Sequence, residues 1–197
     1  GTASLLFVER LVQKDRSADS DFSPRKIVRG FFVKAGYQIP TEEEDRYVDE
    51  ILKTQIGPDH YPGDAGSSPN WPTVAPGTRG MNNAISAKYT NLAGFAKLAV
   101  HPKVLWIRGT DDQIVSDTSL FCFGFLGKLG VIPGWPGDQA FPPQPMVSQM
   151  RAHLKDYRAN GGSYEEVVIP DCGHSPHLEK PTEFRERLLS FLTEIGH

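Results

Sequence analysis

Nowhere does the sequence contain Gly-x-Ser-x-Gly, or the same frame with Cys or Asp at its centre. That frame exposes a nucleophile on a tight strand-to-helix turn. The nearest approaches, Gly161-Gly-Ser-Tyr-Glu165 and Gly173-His-Ser-Pro-His177, lack the second glycine. Long apolar runs are missing as well. No stretch of about 18 apolar residues occurs, so no segment is expected to span a bilayer. No secretory leader is legible, and the chain opens Gly1-Thr2-Ala3-Ser4-Leu5 without Met, so its native start is expected elsewhere. Cysteine is scarce. Two residues, Cys122 and Cys172, do not make a disulfide framework, and reduced thiols are expected. No compartment is fixed by the sequence, although reduced thiols lean towards the cytoplasm. There is no excess of charge of one sign. With 23% charged residues and a net charge of −3, nucleic acid and anionic membranes are not favoured as partners.

What is present is enough for a core: 197 residues, 39% of them hydrophobic. Nineteen glycines and sixteen prolines predict long shaped loops. Leu5, Leu6, Val8, Leu11 and Val12 recur at helical spacing behind Ser4, predicting a helix over 4–14. Ser23-Pro24 predicts a second start, with Pro at the first helical position and Ile27, Val28, Phe31 and Phe32 on its face. Thr41-Glu-Glu-Glu44 has the capping-box arrangement and predicts a third helix to about Ile56, stopped by Gly57-Pro58. Residues 57–80 are rich in Pro and Gly and are expected to be a loop, with irregular chain or short helix over 81–99. Residues 119–144 form a second such segment. Val104–Arg108 is predicted to be a buried strand and Glu166–Pro170 a second strand. Between them Pro145–Ala159 has Met146, Met150, His153, Leu154 and Tyr157 on one helical side, closed by Asn160-Gly161-Gly162. A last helix over 182–195 is predicted to turn Phe184, Leu188, Phe191, Leu192 and Ile195 inward.

Strand, helix, strand, helix is the parallel α/β pattern. Its two strands should be neighbours, because one crossover joins them. Active groups gather at the carboxyl ends of such strands. Here the strand ends deliver Asp112 and His174. A carboxylate that accepts a hydrogen bond from one ring nitrogen of His174 would leave the other nitrogen facing a nucleophile. Asp111 is the next candidate acid and Asp117 a distant third. His177 is expected to pack rather than react, and Glu179 to anchor the loop by hydrogen bonds. Cys172, His174 and His177 have a ligand-like spacing, but no second cluster accompanies them, so neither metal nor cofactor is expected. Cys122 lacks an elbow frame and is not expected to be a nucleophile.

Two stretches carry a resemblance. Trp106-Ile-Arg-Gly-Thr-Asp-Asp-Gln-Ile-Val115 is similar to the Gly-x-x-Asp-x-x-Val turn of the α/β-hydrolase superfamily. Asp171-Cys-Gly-His-Ser-Pro-His-Leu-Glu-Lys-Pro181 resembles its Gly-His-x-x-x-x-Glu-x-Pro segment. The likeness covers about residues 103–118 and 164–195. It implies the C-terminal part of an α/β-hydrolase parallel sheet. Residues 1–100 would be a helical cap, and 101–197 core with an insertion at 119–144. The family's first strands, nucleophile elbow and oxyanion loop have no counterpart here. The resemblance therefore implies a second chain, the N-terminal portion of the same hydrolase, bound to this one.

The function expected is hydrolysis of an ester, lactone or amide through a Ser-His-Asp triad, with a small-molecule substrate. This chain would supply Asp112 and His174. An Asp-nucleophile dehalogenase or epoxide hydrolase, or an acyltransferase, stands as the alternative enzyme. A non-catalytic ligand-binding module on the same fold is the alternative of another class. Trp71, Trp135 and Phe141 are expected to line the substrate pocket, with 57–80 and 119–144 as its lid and lip.

Overall fold

A computed structural model describes residues 2–195, the last of them by its backbone alone. Helix α1 spans Leu5–Val12, and the Ser4 side chain accepts from the Phe7 amide at its start. Only Leu11 of this helix is buried, and it packs against Val48 and Leu52. Leu5, Leu6 and Val12, which share the helical spacing of Leu11, are exposed. Helix α2, Pro24–Ile27, begins on Ser23 with Pro at its first turn, and continues as a π turn over Val28–Phe32. Helix α3 runs Thr41–Leu52, shorter than its apolar pattern predicts.

The expected capping box is not made. Pro40 is the cap residue, and Thr41 lies inside the first turn. Glu44 turns away from its own helix start because two arginines of the preceding segment claim it. Arg25 bonds both Glu44 and Asp45, and Arg29 grips both oxygens of Glu44. Glu44 is buried, so an unpaired carboxylate there would be costly. The Arg29 hydrogen bond, helped by Arg25, holds it below its ordinary pKa against the effect of burial. This cluster clamps α2 to α3.

Residues 57–80 are more ordered than a loop. Short strands β1, Ile56–Gly57, and β2, Tyr61–Pro62, pair in parallel. Strands β3, Ala65–Ser67, and β4, Val74–Pro76, pair antiparallel. Asp64 and Asn83 bind this segment from within. Asp64 accepts from the Thr78 and Arg79 amides, which hold its pKa down to about 2, and Asn83 accepts from the Gly77 amide. Asn83 lies in α4, Met81–Ala84, followed by a 3-10 turn over Phe95–Lys97.

Strand β5, Val104–Gly109, and strand β6, Tyr164–Ile169, lie side by side in parallel, Val104 opposite Tyr164 and Gly109 opposite Ile169. The fold is thus mixed α/β, with small parallel and antiparallel sheets among several helices. Val167, Ile169 and Cys172 form a core cluster with Leu105 and Ile107 against it. β5 is half-buried rather than buried, because among the described residues β6 is its sole strand neighbour. Between the strands run α5, Phe123–Lys128, and α6, Met146–Ala159. Val147, Leu154 and Tyr157 of α6 are buried, and the Tyr157 ring meets Phe95 with centroids 4.7 Å apart. Met150, expected on that side, is exposed. After β6 come α7, Pro176–Glu179, and α8, Pro181–Ile195. Phe191 is buried, whereas Leu192 is exposed. The side chain of Ile195, also expected inward, lies outside the described residues. No helix among the described residues is long and apolar enough to cross a membrane.

Candidate active site

The parallel pair ends where two turns press together. A Cβ on Gly109 would stand 2.1 Å from the Cys172 carbonyl oxygen, so glycine is required for the turns to meet. The Asp111 amide then donates to the Cys172 carbonyl at 2.8 Å, stitching one turn to the other. The next residue, Asp112, folds its carboxylate back on its own turn. Its Oδ1 accepts from the Ile114 and Val115 amides at 2.8 and 2.9 Å. This is the local bonding that Asp favours at turns.

The other oxygen reaches across. Asp112 Oδ2 lies 3.0 Å from His174 Nδ1. An ionised carboxylate only accepts, so Nδ1 carries the proton and Nε2 is left as the acceptor. Burial alone would raise the pKa of Asp112. The His174 hydrogen bond and the amides of Val115 and Ile114 outweigh it and hold the carboxyl below its ordinary value. Among the described residues His174 Nε2 makes no hydrogen bond.

The His174 loop is fixed by Glu179. This buried carboxylate accepts from the Gly173 amide with both oxygens, at 2.9 and 3.0 Å, and from the Lys34 amide at 2.8 Å. Lys34 follows the π turn, so one side chain joins the first helical layer to the histidine. A Cβ on Gly173 would approach the Lys34 nitrogen to 2.4 Å, which shows how closely the two backbones meet. The Lys34 ammonium also bonds Asp171. Glu179→Ala leaves buried amides unpaired and is expected to lower the unfolding free energy by on the order of 3 kcal/mol. Glu179→Gln, which keeps one acceptor, should lose less. Chemical denaturation measures both, and an unchanged midpoint for Glu179→Ala would mean that the residue anchors nothing.

An apolar hollow of ≈ 390 Å³ opens beside His174. Val28, Phe32, Ile51 and Leu178 form most of its walls, with Tyr47, Glu50, Ser175 and His177 also at its lining, and the Phe32 ring stands edge-on to the imidazole with centroids 6.3 Å apart. The sequence marks Val28 and Phe32 only as sharing a helix face. Nothing in their spacing distinguishes a wall of this hollow from ordinary packing.

The other candidates go elsewhere. Asp111 accepts from the Thr110 hydroxyl and is well exposed. Asp117 binds the Ser148 amide and hydroxyl at the start of α6. His177 packs on Phe184, with ring centroids 5.9 Å apart. Cys122 and Cys172 are free and buried. Burial, with the Glu179 carboxylate beside it, pushes the Cys172 thiol up to about 12, far from a reactive thiolate.

Trp71, Trp135 and Phe141 gather with one another, not with His174. The Trp71 and Phe141 rings meet edge to face at 4.7 Å, and Trp71 Nε1 donates to the Pro133 carbonyl. Trp135 Nε1 donates to the Phe141 carbonyl. Both tryptophans press on Gly127, where a Cβ would come within 2.8 Å of either ring. The segments 57–80 and 119–144 are therefore joined through these rings. None of the three lines the hollow beside His174. Trp71 and Phe141 face a larger cleft instead, while Trp135 packs behind it. Comparison with known proteins finds no matching family model, curated protein or solved structure.

Proposed function

We propose that this chain carries the acid and the base of an α/β-hydrolase-type enzyme that cleaves an ester, lactone or amide. The observation that carries this reading is the Asp112–His174 hydrogen bond at adjacent parallel strand ends, with Nε2 left unpartnered. A serine on another polypeptide, the N-terminal portion of the same hydrolase, would complete the triad. Its hydroxyl oxygen adds to the substrate carbonyl while Nε2 takes the proton, and Asp112 stabilises the imidazolium formed. The proton then passes to the leaving alcohol or amine as the acyl–oxygen or acyl–nitrogen bond breaks. Water, deprotonated by the same nitrogen, releases the acid product and restores the serine. Backbone amides of the partner would hold the oxyanion. The apolar hollow offers a place for an uncharged part of the substrate beside the imidazole.

The test is to isolate the chain with everything that co-purifies and treat it with a fluorophosphonate. Labelling of one serine on a companion polypeptide, together with ester turnover, is the expected result. Turnover without labelling, through an alkyl-enzyme ester on aspartate, would mark the dehalogenase or epoxide-hydrolase alternative. Neither labelling nor turnover of any of these substrates would leave the binding-module reading in its place.

A further inference from the structure

A cleft of ≈ 1070 Å³ lies between the β3–β4 segment and the stretch from Phe123 to Gln144. It shares no lining residue with the hollow beside His174. Its chemistry is unusual for this chain. Charged residues make up 23% of the sequence, yet among the described residues no side chain that lines the cleft carries a formal charge. An anion or cation entering it would lose water without gaining a counter-ion, which disfavours both.

What the cleft does offer is rings and amides. Trp71, Phe123 and Phe141 supply rigid apolar surface. Asn70, Asn82 and Gln144 supply polar groups whose capacity is only partly used. Asn82 and Gln144 donate through their amide nitrogens to the Thr2 carbonyl and Gln149, and among the described residues their amide oxygens accept nothing. The Asn70 side chain makes no hydrogen bond among the described residues, although its backbone amide donates to Ser68. A hydrocarbon would cover these oxygens and leave them unmet, at a cost comparable to a lost hydrogen bond. A ligand with hydroxyl donors on one edge and an apolar C–H face on another satisfies both sets.

The walls are already in place. Asn83, 1% exposed, ties the floor together through the Gly77 amide and the Asp64 and Arg79 carbonyls. The opposite wall is locked by the rings packed on Gly127. A site formed in advance loses little entropy on binding.

We propose that this cleft binds a neutral hydroxylated ligand of the glycoside class, its C–H face on Trp71 and Phe141 and its hydroxyls on Asn70, Asn82 and Gln144. The inference concerns binding only and stands or falls independently of the hydrolase reading.

Three probes with one phenyl ring test it on the full chain: phenyl β-glucoside, benzoate and benzylammonium, each titrated by ligand-observed NMR. Saturable binding of the glucoside alone is expected. Trp71→Ala should weaken it about tenfold. Gln144→Ala, at an exposed position, should weaken it about fivefold. If Trp71→Ala does not fold, Gln144→Ala decides. No saturable binding of the glucoside, equal binding of the two ions, or undiminished binding to a folded variant would overturn the proposal.

Discussion

On the hydrolase proposal, turnover by this chain with its partner is expected to fall by on the order of 10⁶ when His174 is replaced by Ala, as for the base of other nucleophile–histidine pairs. The physical reason is that, of the candidate groups, His174 alone is bonded to Asp112. His177, three residues on, lines the same hollow but packs its ring, tilted, against Phe184. Asp111 and Asp117 are committed to Thr110 and to the start of α6. His177→Ala should therefore leave turnover close to that of the parent. The control separates catalysis from folding: His174 is about a third exposed, so its loss leaves no large cavity. Steady-state kinetics on an activated ester, with denaturation midpoints alongside, checks both variants. Retained turnover in a folded His174→Ala protein would remove the histidine from the chemistry.

Asp112→Asn is expected to cost about 10⁴ in turnover while keeping the fold. Two backbone amides pin one carboxylate oxygen, and an asparagine oxygen satisfies them equally well. The new NH₂ group must then point at His174 Nδ1. Nδ1 has to accept, the ring proton moves to Nε2, and the base can no longer take a proton from a hydroxyl. Asp111→Asn changes nothing that His174 feels. Proton NMR of the imidazole, beside kcat for the two variants, distinguishes a tautomer change from a loss of structure. If Asp111→Asn is the damaging variant, the wrong aspartate has been assigned. The pH dependence has a fixed sign. Because Asp112 is held below its ordinary pKa in the fold, its contribution to stability is present at neutral pH. That contribution disappears as pH falls through the depressed value.

The parts legible in the sequence are those whose causes are local. A hydrophobic run ending at Arg108-Gly109 announces β5, and the α6 pattern ends at Asn160-Gly161-Gly162 as written. The parallel pairing follows from a single crossover between the strands, and the Asp112–His174 pair follows from that pairing. What was not legible depends on partners far along the chain. The capping box at Thr41 fails because Arg25 and Arg29 offer Glu44 a stronger partner than a backbone amide. The helical spacing of Leu5, Leu6 and Val12 sets a face but not its cover, and all three stay exposed. The aromatic residues of the two Pro/Gly-rich segments carry no address in their composition. Only packing on Gly127 places them together and away from His174.

The Glu179 carboxylate reaches back 145 residues to the Lys34 amide while it holds the Gly173 amide of the histidine loop. Tyr37 adds a second tie, its hydroxyl donating to the Leu178 carbonyl. In mechanical terms the stretch from Val33 to Tyr37 belongs to the frame and not to the cover. Pulling it away strips the buried carboxylate and releases the imidazole in the same movement. Any movement that leaves the His174 loop in place has to bend beyond Tyr37, in the short run before α3, with the π turn and its Phe32 staying as a wall.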